Sequence, residues 1–295
     1  MSFKSKVKAA VRIIMTSCLS DKQFINMFYK RKFHVKPDLE HPKTLCEKIN
    51  WLKLNDRKPF YTDMVDKVKV KDIAASKGLK VIPLLGAWDK FDDIDFDKLP
   101  NQFVLKTNHT SGGMVICKDK QTFDYKAAKR KLTKSLKTNY YKRGREWPYK
   151  NVVRKILAEP FIDSLGKPES IEYKVTCFNG KVEFITICRG IAHSEFSLRK
   201  NDFYDIDFNF LPFRTEYYEN SGIENVKPKF WDEMIKQSEK MAEGTYYLRV
   251  DFYDINGELV FGEATFFTWS GFMKFVPQEY DRILGDRLVL PTDKE

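Results

Sequence analysis

Long apolar runs are missing from this chain: no stretch approaches the roughly 18 consecutive apolar residues that a membrane-crossing helix requires. Metal spacing is missing too. The five cysteines, Cys18, Cys46, Cys117, Cys177 and Cys188, form no CxxC pair, and the four histidines, His34, His41, His109 and His193, share no ligand spacing. An odd set of scattered cysteines suits free thiols in a reducing cytoplasm rather than a disulfide framework. No Gly-x-x-x-x-Gly-Lys-Ser/Thr loop occurs, which excludes a P-loop, and no Gly-x-Gly-x-x-Gly follows a strand, which argues against a Rossmann site. Internal repeats, low-complexity blocks and long linkers are also lacking.

What is present is a large aromatic complement, 24 Phe and 14 Tyr in 295 residues, ample for a packed core. The formal net charge is +11, spread along the chain, which favours encounter with an anionic partner such as a nucleotide, an acidic glycan or a lipid surface without choosing among them. The basic residues do not cluster and no nucleic-acid fold signature appears, so no nucleic-acid partner is expected. The N-terminal apolar run ends at Cys18 in the manner of a lipoprotein signal, but Arg12 interrupts it and Met15 stands where the cleavage motif wants another aliphatic residue. It reads instead as a basic amphipathic helix, with Lys4, Lys6, Lys8 and Arg12 beside Val7, Val11, Ile14 and Met15. Such a helix would touch the inner face of the cell membrane weakly, on an otherwise cytoplasmic protein.

The first 80 residues read as helical. Thr44 and Glu47 form a capping box ahead of Leu45, Ile49 and Leu52, and a second helix is expected from about Thr62 to Lys77, stopped by Gly78, with Lys67 and Lys71 on one face. Short strands follow at Val81–Pro83, Phe103–Thr107, Met114–Lys118 and Val152–Glu159, with a helix carrying Tyr125, Ala128, Leu132 and Leu136. Ile171–Phe178 and Val182–Arg189 flank Asn179-Gly180, a strong hairpin signal, while Ile191–Lys227 reads as irregular loop. A helix around Phe230, Met234 and Met241 ends at Gly244, and Tyr247–Tyr253 and Leu259–Thr265 flank a second turn. This is an α+β pattern without the alternation of a doubly wound sheet.

Two segments carry chemistry. In Phe103–Val115 a strand ends in Lys106 and leads into Asn108-His109-Thr110-Ser111-Gly112-Gly113, whose backbone N–H groups can converge on phosphate. An ordinary Ser-Gly-Gly hairpin fits the same residues. In Tyr247–Tyr253, Arg249 and Asp251 lie two apart on one strand face bordering a core, and Glu263 follows on the partner strand. Buried charges of this kind are paired or hold a cation. Asp251 with Glu263 suits magnesium, and a structural Arg249–Asp251 salt bridge is the other reading. Register separates the two. A plain two-residue turn at Asn256-Gly257 pairs Asp251 with Gly262 and sets Glu263 on the opposite face, whereas an odd loop or one bulge sets both carboxylates on one face.

These segments, in this order, resemble the ATP-grasp superfamily, and several details resemble its teichuronopeptide-biosynthesis, TupA-like branch. Those details are Pro42–Lys53, Asp66-Lys67, Leu99-Pro100, Asn108-His109, Glu146-Trp147 with Tyr149-Lys150, and Glu159. Further along they are Tyr173-Lys174, Phe178–Lys181, Arg249–Tyr253, Gly262-Glu263 and Ser270-Gly271. The resemblance implies ATP gripped between two α+β lobes with a helical N-terminal extension, divided as 1–80 helical, 81–158 small lobe and 159–295 large lobe. It implies that Lys67 and Lys106 contact phosphates, that the loop with Asn108, His109, Ser111, Gly112 and Gly113 closes over them, and that Glu159, Pro160, Phe161 and Ile162 line adenine and ribose. Asp251 and Glu263, with Thr265 beside them, would hold Mg2+, and Arg249 with Lys174 would serve the transferred phosphoryl group.

The implied activity is carboxylate–amine ligation through an acyl phosphate, attaching an amino acid or similar amine to a surface polysaccharide or its precursor. A glycan kinase on the same scaffold and a glycosyltransferase are the alternatives. The latter wants an Asp-x-Asp metal motif, which Asp205-Ile206-Asp207 and Asp93-Ile94-Asp95 fit literally. Thr265 departs from the asparagine usual in ATP-grasp enzymes, which weighs against a two-metal site; separately, Glu172 departs from the aspartate usual before Tyr-Lys in this branch.

Overall fold

Capping decides where the helical entry begins. In the computed structural model, which describes residues 18–167, 170–191, 193 and 195–291, α1 (Asp21–Phe33) starts on a Ser20/Gln23 capping box and α2 (Leu45–Asn55) on the expected Thr44/Glu47 box. The basic N-terminal helix read from Lys4 to Met15 lies outside the described residues. Among those described, no helix is long and apolar enough to cross a membrane.

The single helix expected over Thr62–Lys77 is two helices, α3 (Phe60–Val65) and α4 (Lys69–Ser76). Asp66 makes the break: its Oδ1 accepts from Val68 N at 2.9 Å and from Asn108 Nδ2 at 2.9 Å, competing with the helical ladder. Lys67 therefore sits at a corner, its N–H donating to Asn108 O at 3.1 Å, rather than on a helix face with Lys71.

Two antiparallel sheets follow. The smaller contains β1 (Gly86–Trp88), β2 (Phe103–Thr107), β3 (Met114–Cys117) and β4 (Ile156–Pro160) in the order β1-β4-β2-β3. It closes over a core of Phe103, Leu105, Ile156 and Ala158 against Ala128 and Leu132 of α5 (Tyr125–Leu136); the short α6 (Tyr141–Gly144) comes after. Val81 makes one isolated bridge to Phe261 rather than a strand, and Val152–Lys155 precedes β4 as irregular chain. The larger sheet contains β5 (Ile171–Phe178), β6 (Lys181–Arg189), β7 (Lys200–Tyr204), β8 (Phe210–Leu211), β10 (Tyr247–Ile255) and β11 (Glu258–Thr265), ordered β11-β10-β5-β6-β7-β8. A separate pair joins β9 (Arg214–Thr215) to β12 (Phe275–Val276); α7 (Trp231–Ala242) packs on the sheet and α8 (Tyr280–Arg287) on α2.

Strands β7, β8 and β9 correct the irregular loop expected over Ile191–Lys227. Apolar alternation is weak there because Asn201 and Asp202 are buried as polar groups: Asp202 accepts from Ser221 N at 2.8 Å, Ser221 Oγ at 2.5 Å and Asn225 Nδ2 at 2.9 Å.

The β10–β11 hairpin settles the register. Asn256 (φ 56°) and Gly257 (φ 81°) make a two-residue turn with both residues left-handed. Pairing runs Ile255–Glu258 to Phe252–Phe261, then shifts, so that Asp251 faces Glu263. Gly262 is the extra residue. A Cβ there would lie 2.8 Å from Tyr253 Cε2 and 3.1 Å from Asp251 O, so the bulge has room only for glycine.

Candidate active site

Diagonal neighbours on β2 and β4 build the first charge cluster. Lys106 Nζ lies 2.6 Å from Glu159 Oε2, and Lys71 Nζ reaches Glu159 Oε1 at 2.7 Å and the Ile82 carbonyl at 2.6 Å. Burial pushes the Glu159 carboxyl up, but the two ammonium groups outweigh it and hold the group below its ordinary range. Burial pushes the Lys106 ammonium down. The Glu159 carboxylate is thus an anchor for two lysines, and Lys71 had no role in the sequence reading.

This arrangement has a pH signature. Because the folded Glu159 titrates below its unfolded value near about 4.3, its stabilisation is complete above that pH and is lost as pH falls through the folded value. Glu159→Gln should cost about 3 kcal/mol at pH 7, with the gap to wild type narrowing below about pH 4. Denaturant titrations at both pH values check this, and a gap that does not close in acid contradicts it.

The second cluster lies on β5, β10 and β11. Arg249 grips Asp251 with a bidentate fork, Nε to Oδ1 at 2.6 Å and Nη2 to Oδ2 at 2.7 Å. Lys174 donates to Asp251 Oδ2 at 2.8 Å and stands 2.8 Å from Glu172 Oε2. Across the bulge, Glu263 takes Lys67 Nζ at 2.7 Å and lies 3.6 Å from Arg249 Nη2, which also donates to Thr265 Oγ1 at 3.2 Å. Asp251 is 0% exposed whereas Glu263 is 38% exposed. Lys67 beside it, with Arg249 and Lys174, holds the Glu263 carboxyl well below the usual range against the opposing effect of burial. Burial pushes the Glu172 carboxyl up. Five cations (Lys67, Lys71, Lys106, Lys174, Arg249) thus face four carboxylates (Glu159, Glu172, Asp251, Glu263).

A cavity of about 450 Å³ opens beside this cluster. Of the candidate residues, Lys67, Ser111, Lys174, Arg249, Glu263 and Thr265 line it, and Asp251 is buried beneath. Asn108 and His109 do not present their side chains there. Asn108 spends its amide on Asp66, the Val153 carbonyl and Lys155 N, and His109 Nε2 meets the Thr138 carbonyl at 3.1 Å, its ring pushed by burial toward the neutral form. These two side chains frame the loop, while Thr110 and Ser111 reach the cavity. Gly112 has φ +91°, and a Cβ at Gly113 would lie 2.2 Å from Ser135 Oγ, so both glycines are demanded by the loop's path. Pro160 closes β4 opposite Phe103, and Phe161 lies under Lys118 Nζ at 5.5 Å, both away from this cavity's lining along with Ile162.

Oxygen donors suit magnesium, which commonly takes one or two carboxylates and completes its shell with phosphate and water. Glu263 is open to that use. Asp251 has both oxygens engaged by Arg249 and Lys174, and among the described residues no group of three His, Cys, Asp or Glu is placed to hold a metal. The donor set fits an ion entering with its phosphates, not a preformed cage.

The far wall was not assigned by sequence. Glu146 lines it, its carboxyl raised by burial and its Oε1 accepting from Ser270 Oγ at 2.5 Å. Trp269 (φ 51°) and Ser270 (φ 55°) are consecutive left-handed residues that are not glycine, a strain of roughly 1–2 kcal/mol each. Buried Lys53 donates to Ser270 O at 2.7 Å and Gly144 O at 2.9 Å, and Asn50 donates to Gly271 O at 2.7 Å, so α2 holds this wall. Only the Glu146-Trp147 and Ser270-Gly271 pairs signal it in the sequence. The Asp-x-Asp motifs are turn formers: Asp205 accepts from the Asp207 and Asn209 N–H groups, and Asp95 accepts from Asp97 N.

The family model described as TupA-like ATPgrasp matches residues 47–289. A D-alanine–D-alanine ligase from Bacillus anthracis is 19% identical over 78% of this chain and 69% of its own, with a TM-score of 0.46. The Helicobacter pylori D-alanine–D-alanine ligase is 12% identical over 68% of this chain and 50% of its own, with a TM-score of 0.41. An N5-carboxyaminoimidazole synthetase from Staphylococcus aureus is 15% identical over 69% and 44%, with a TM-score of 0.40. The chain spans about half the length of the last two. No curated protein matches.

Proposed function

The chain belongs to the TupA-like ATP-grasp family, and from that premise we propose that it is an ATP-dependent carboxylate–amine ligase, working on a surface polysaccharide or its precursor. One observation carries the reading: the bulge at Gly262 turns Glu263 to the same side as Asp251, beside Arg249 and Lys67 and against an open cavity. A salt bridge alone needs Arg249 and Asp251 only; it gives no reason for a half-exposed carboxylate and a third cation at the same place.

In this proposal the substrate carboxylate attacks the γ-phosphorus of ATP, ADP leaves, and an acyl phosphate forms. The amine then attacks the acyl carbon, losing a proton, and inorganic phosphate departs. Lys67 and Lys106 attract the phosphates, and Ser111 covers them. Arg249 shifts part of its fork from Asp251 toward charge gathering on the transferred group, and Lys174 supports the same oxygens. Asp251 and Glu263, with the Thr265 hydroxyl, are the residues that would hold magnesium, which when bound neutralises phosphate charge. Backbone from Glu159 to Ile162 would border the adenine, between lobes proposed over 81–158 and 159–295, after a first region proposed over 1–80. The protein would work in the cytoplasm or at the membrane's inner face.

Product stoichiometry tests this. With Mg·ATP, amino acids and a uronate-bearing precursor, ADP and inorganic phosphate should appear together only when carboxylate and amine are both present. ADP without free phosphate, alongside a phosphorylated glycan, would replace the ligase by a kinase.

A further inference from the structure

The strained wall of the cavity has a second face. Behind Trp269 and Ser270 lies a cleft of about 340 Å³, bordered by Phe28, Phe272, Tyr217, Arg31 and Arg143. Cavity and cleft share Trp269 and Ser270, so the two spaces run along the same loop. Trp269 and Tyr217 are 41% and 40% exposed, yet their rings are stacked at 4.3 Å and 24°. Lys32 fixes this pair from below, donating to Tyr217 Oη at 2.9 Å, lying 4.8 Å from the ring centroid, and pairing with Glu216.

Large exposed aromatics held rigidly beside cations mark a surface that takes a ligand. Backbone strain points the same way. Two left-handed non-glycine residues persist only because Lys53, Asn50 and Glu146 over-determine the loop, and such outliers concentrate at functional sites. A purely structural corner would be satisfied by glycine at 269, which would also leave no aromatic ring outside.

We propose that this cleft is an extended acceptor subsite for an anionic, ring-bearing chain: an acidic oligosaccharide whose sugar faces lie on the outer face of Trp269, with Tyr217 backing that ring, and whose carboxylates reach Arg31 and Arg143. The end of that chain passes the Trp269–Ser270 wall into the catalytic cavity. Ring stacking selects flat saccharide faces over flexible acidic chains, and the two arginines select uronate over neutral sugar. This assignment rests on the ligase reading and names the substrate class of the same site.

Calorimetric titration of the full chain with a galacturonate hexamer, maltohexaose and hexaglutamate tests it. The galacturonate hexamer should bind, weakening as salt rises, with the other two at least tenfold weaker. Arg31→Glu with Arg143→Glu, both on exposed side chains, should weaken it tenfold or more, and so should Trp269→Gly, which keeps the loop's backbone preference. Equal binding of hexaglutamate, or galacturonate affinity unmoved by either variant, overturns the inference. So does absence of saccharide binding in wild-type protein that binds Mg·ATP. Mg·ATP titrated into the same preparation decides the nucleotide reading separately.

Discussion

Glu263→Gln should lower magnesium-dependent ATP turnover about 100-fold, a loss of roughly 2.7 kcal/mol in transition-state stabilisation, while the protein still folds. Glutamine keeps the length and shape of the side chain at position 263 and can still accept from Lys67, which now sits 2.7 Å from Oε2. What disappears is the negative charge. That charge holds Lys67 at the cavity mouth and belongs to a carboxylate partly open to a divalent ion. Because the side chain is 38% exposed, solvent screens much of what its pairing with Lys67 contributes, and the melting transition should fall only slightly. Initial rates of ADP formation with and without magnesium, paired with thermal melts, give both readings. Wild-type turnover in a well-folded variant would remove Glu263 from the site.

Asp251→Asn should behave differently, costing about 4–5 kcal/mol of stability in addition to turnover. Its carboxylate is wholly buried and carries the Arg249 fork and Lys174 at once. Asparagine cannot accept a bidentate guanidinium on both atoms, and two cations lose their shared counter-charge inside the larger sheet, where β10 lies between β5 and the edge strand β11. The midpoint of a denaturant titration reads this directly. Adding Arg249→Gln should return part of the lost stability, since one stranded cation is removed, without restoring turnover. If Asp251→Asn is as stable as wild type, the buried charge network does not work as described here.

The two carboxylates thus divide the labour that sequence reading had given them jointly. Both are proposed from their residue types and their places on adjoining strands, and the need for an odd residue between the turn and Glu263 is legible in the sequence. Gly262 supplies it through local geometry alone. Likewise local were the Thr44/Glu47 cap and the Asn179-Gly180 and Asn256-Gly257 turns, which depend on residues within a few positions of each other. The failures involve partners far away in the chain. The helix through Thr62–Lys77 breaks because Asp66 meets Asn108, 42 positions on. Strand β7 is hidden by buried Asp202, whose partners Ser221 and Asn225 are unremarkable in sequence. The Glu159 carboxylate pairs with Lys71 of α4 and Lys106 of β2, partners that no local pattern gives. The Asn108 and His109 side chains frame the loop through Asp66, Val153, Lys155 and Thr138, partners that the loop's own residues do not give. Periodicity reports which residues face a core; it does not report which polar residue in that core meets which.

Everything turns on whether acidic groups on β10 and β11, across from Lys67, receive a divalent ion together with a nucleotide. Isothermal titration of the full chain with ATP, first in chelator and then in magnesium, measures this most directly. A single saturable site that appears or tightens at least tenfold with magnesium in the wild-type protein, and loses that magnesium dependence in Glu263→Gln, is the expected result. No heat with Mg·ATP, or equal affinity in chelator and magnesium, would contradict it.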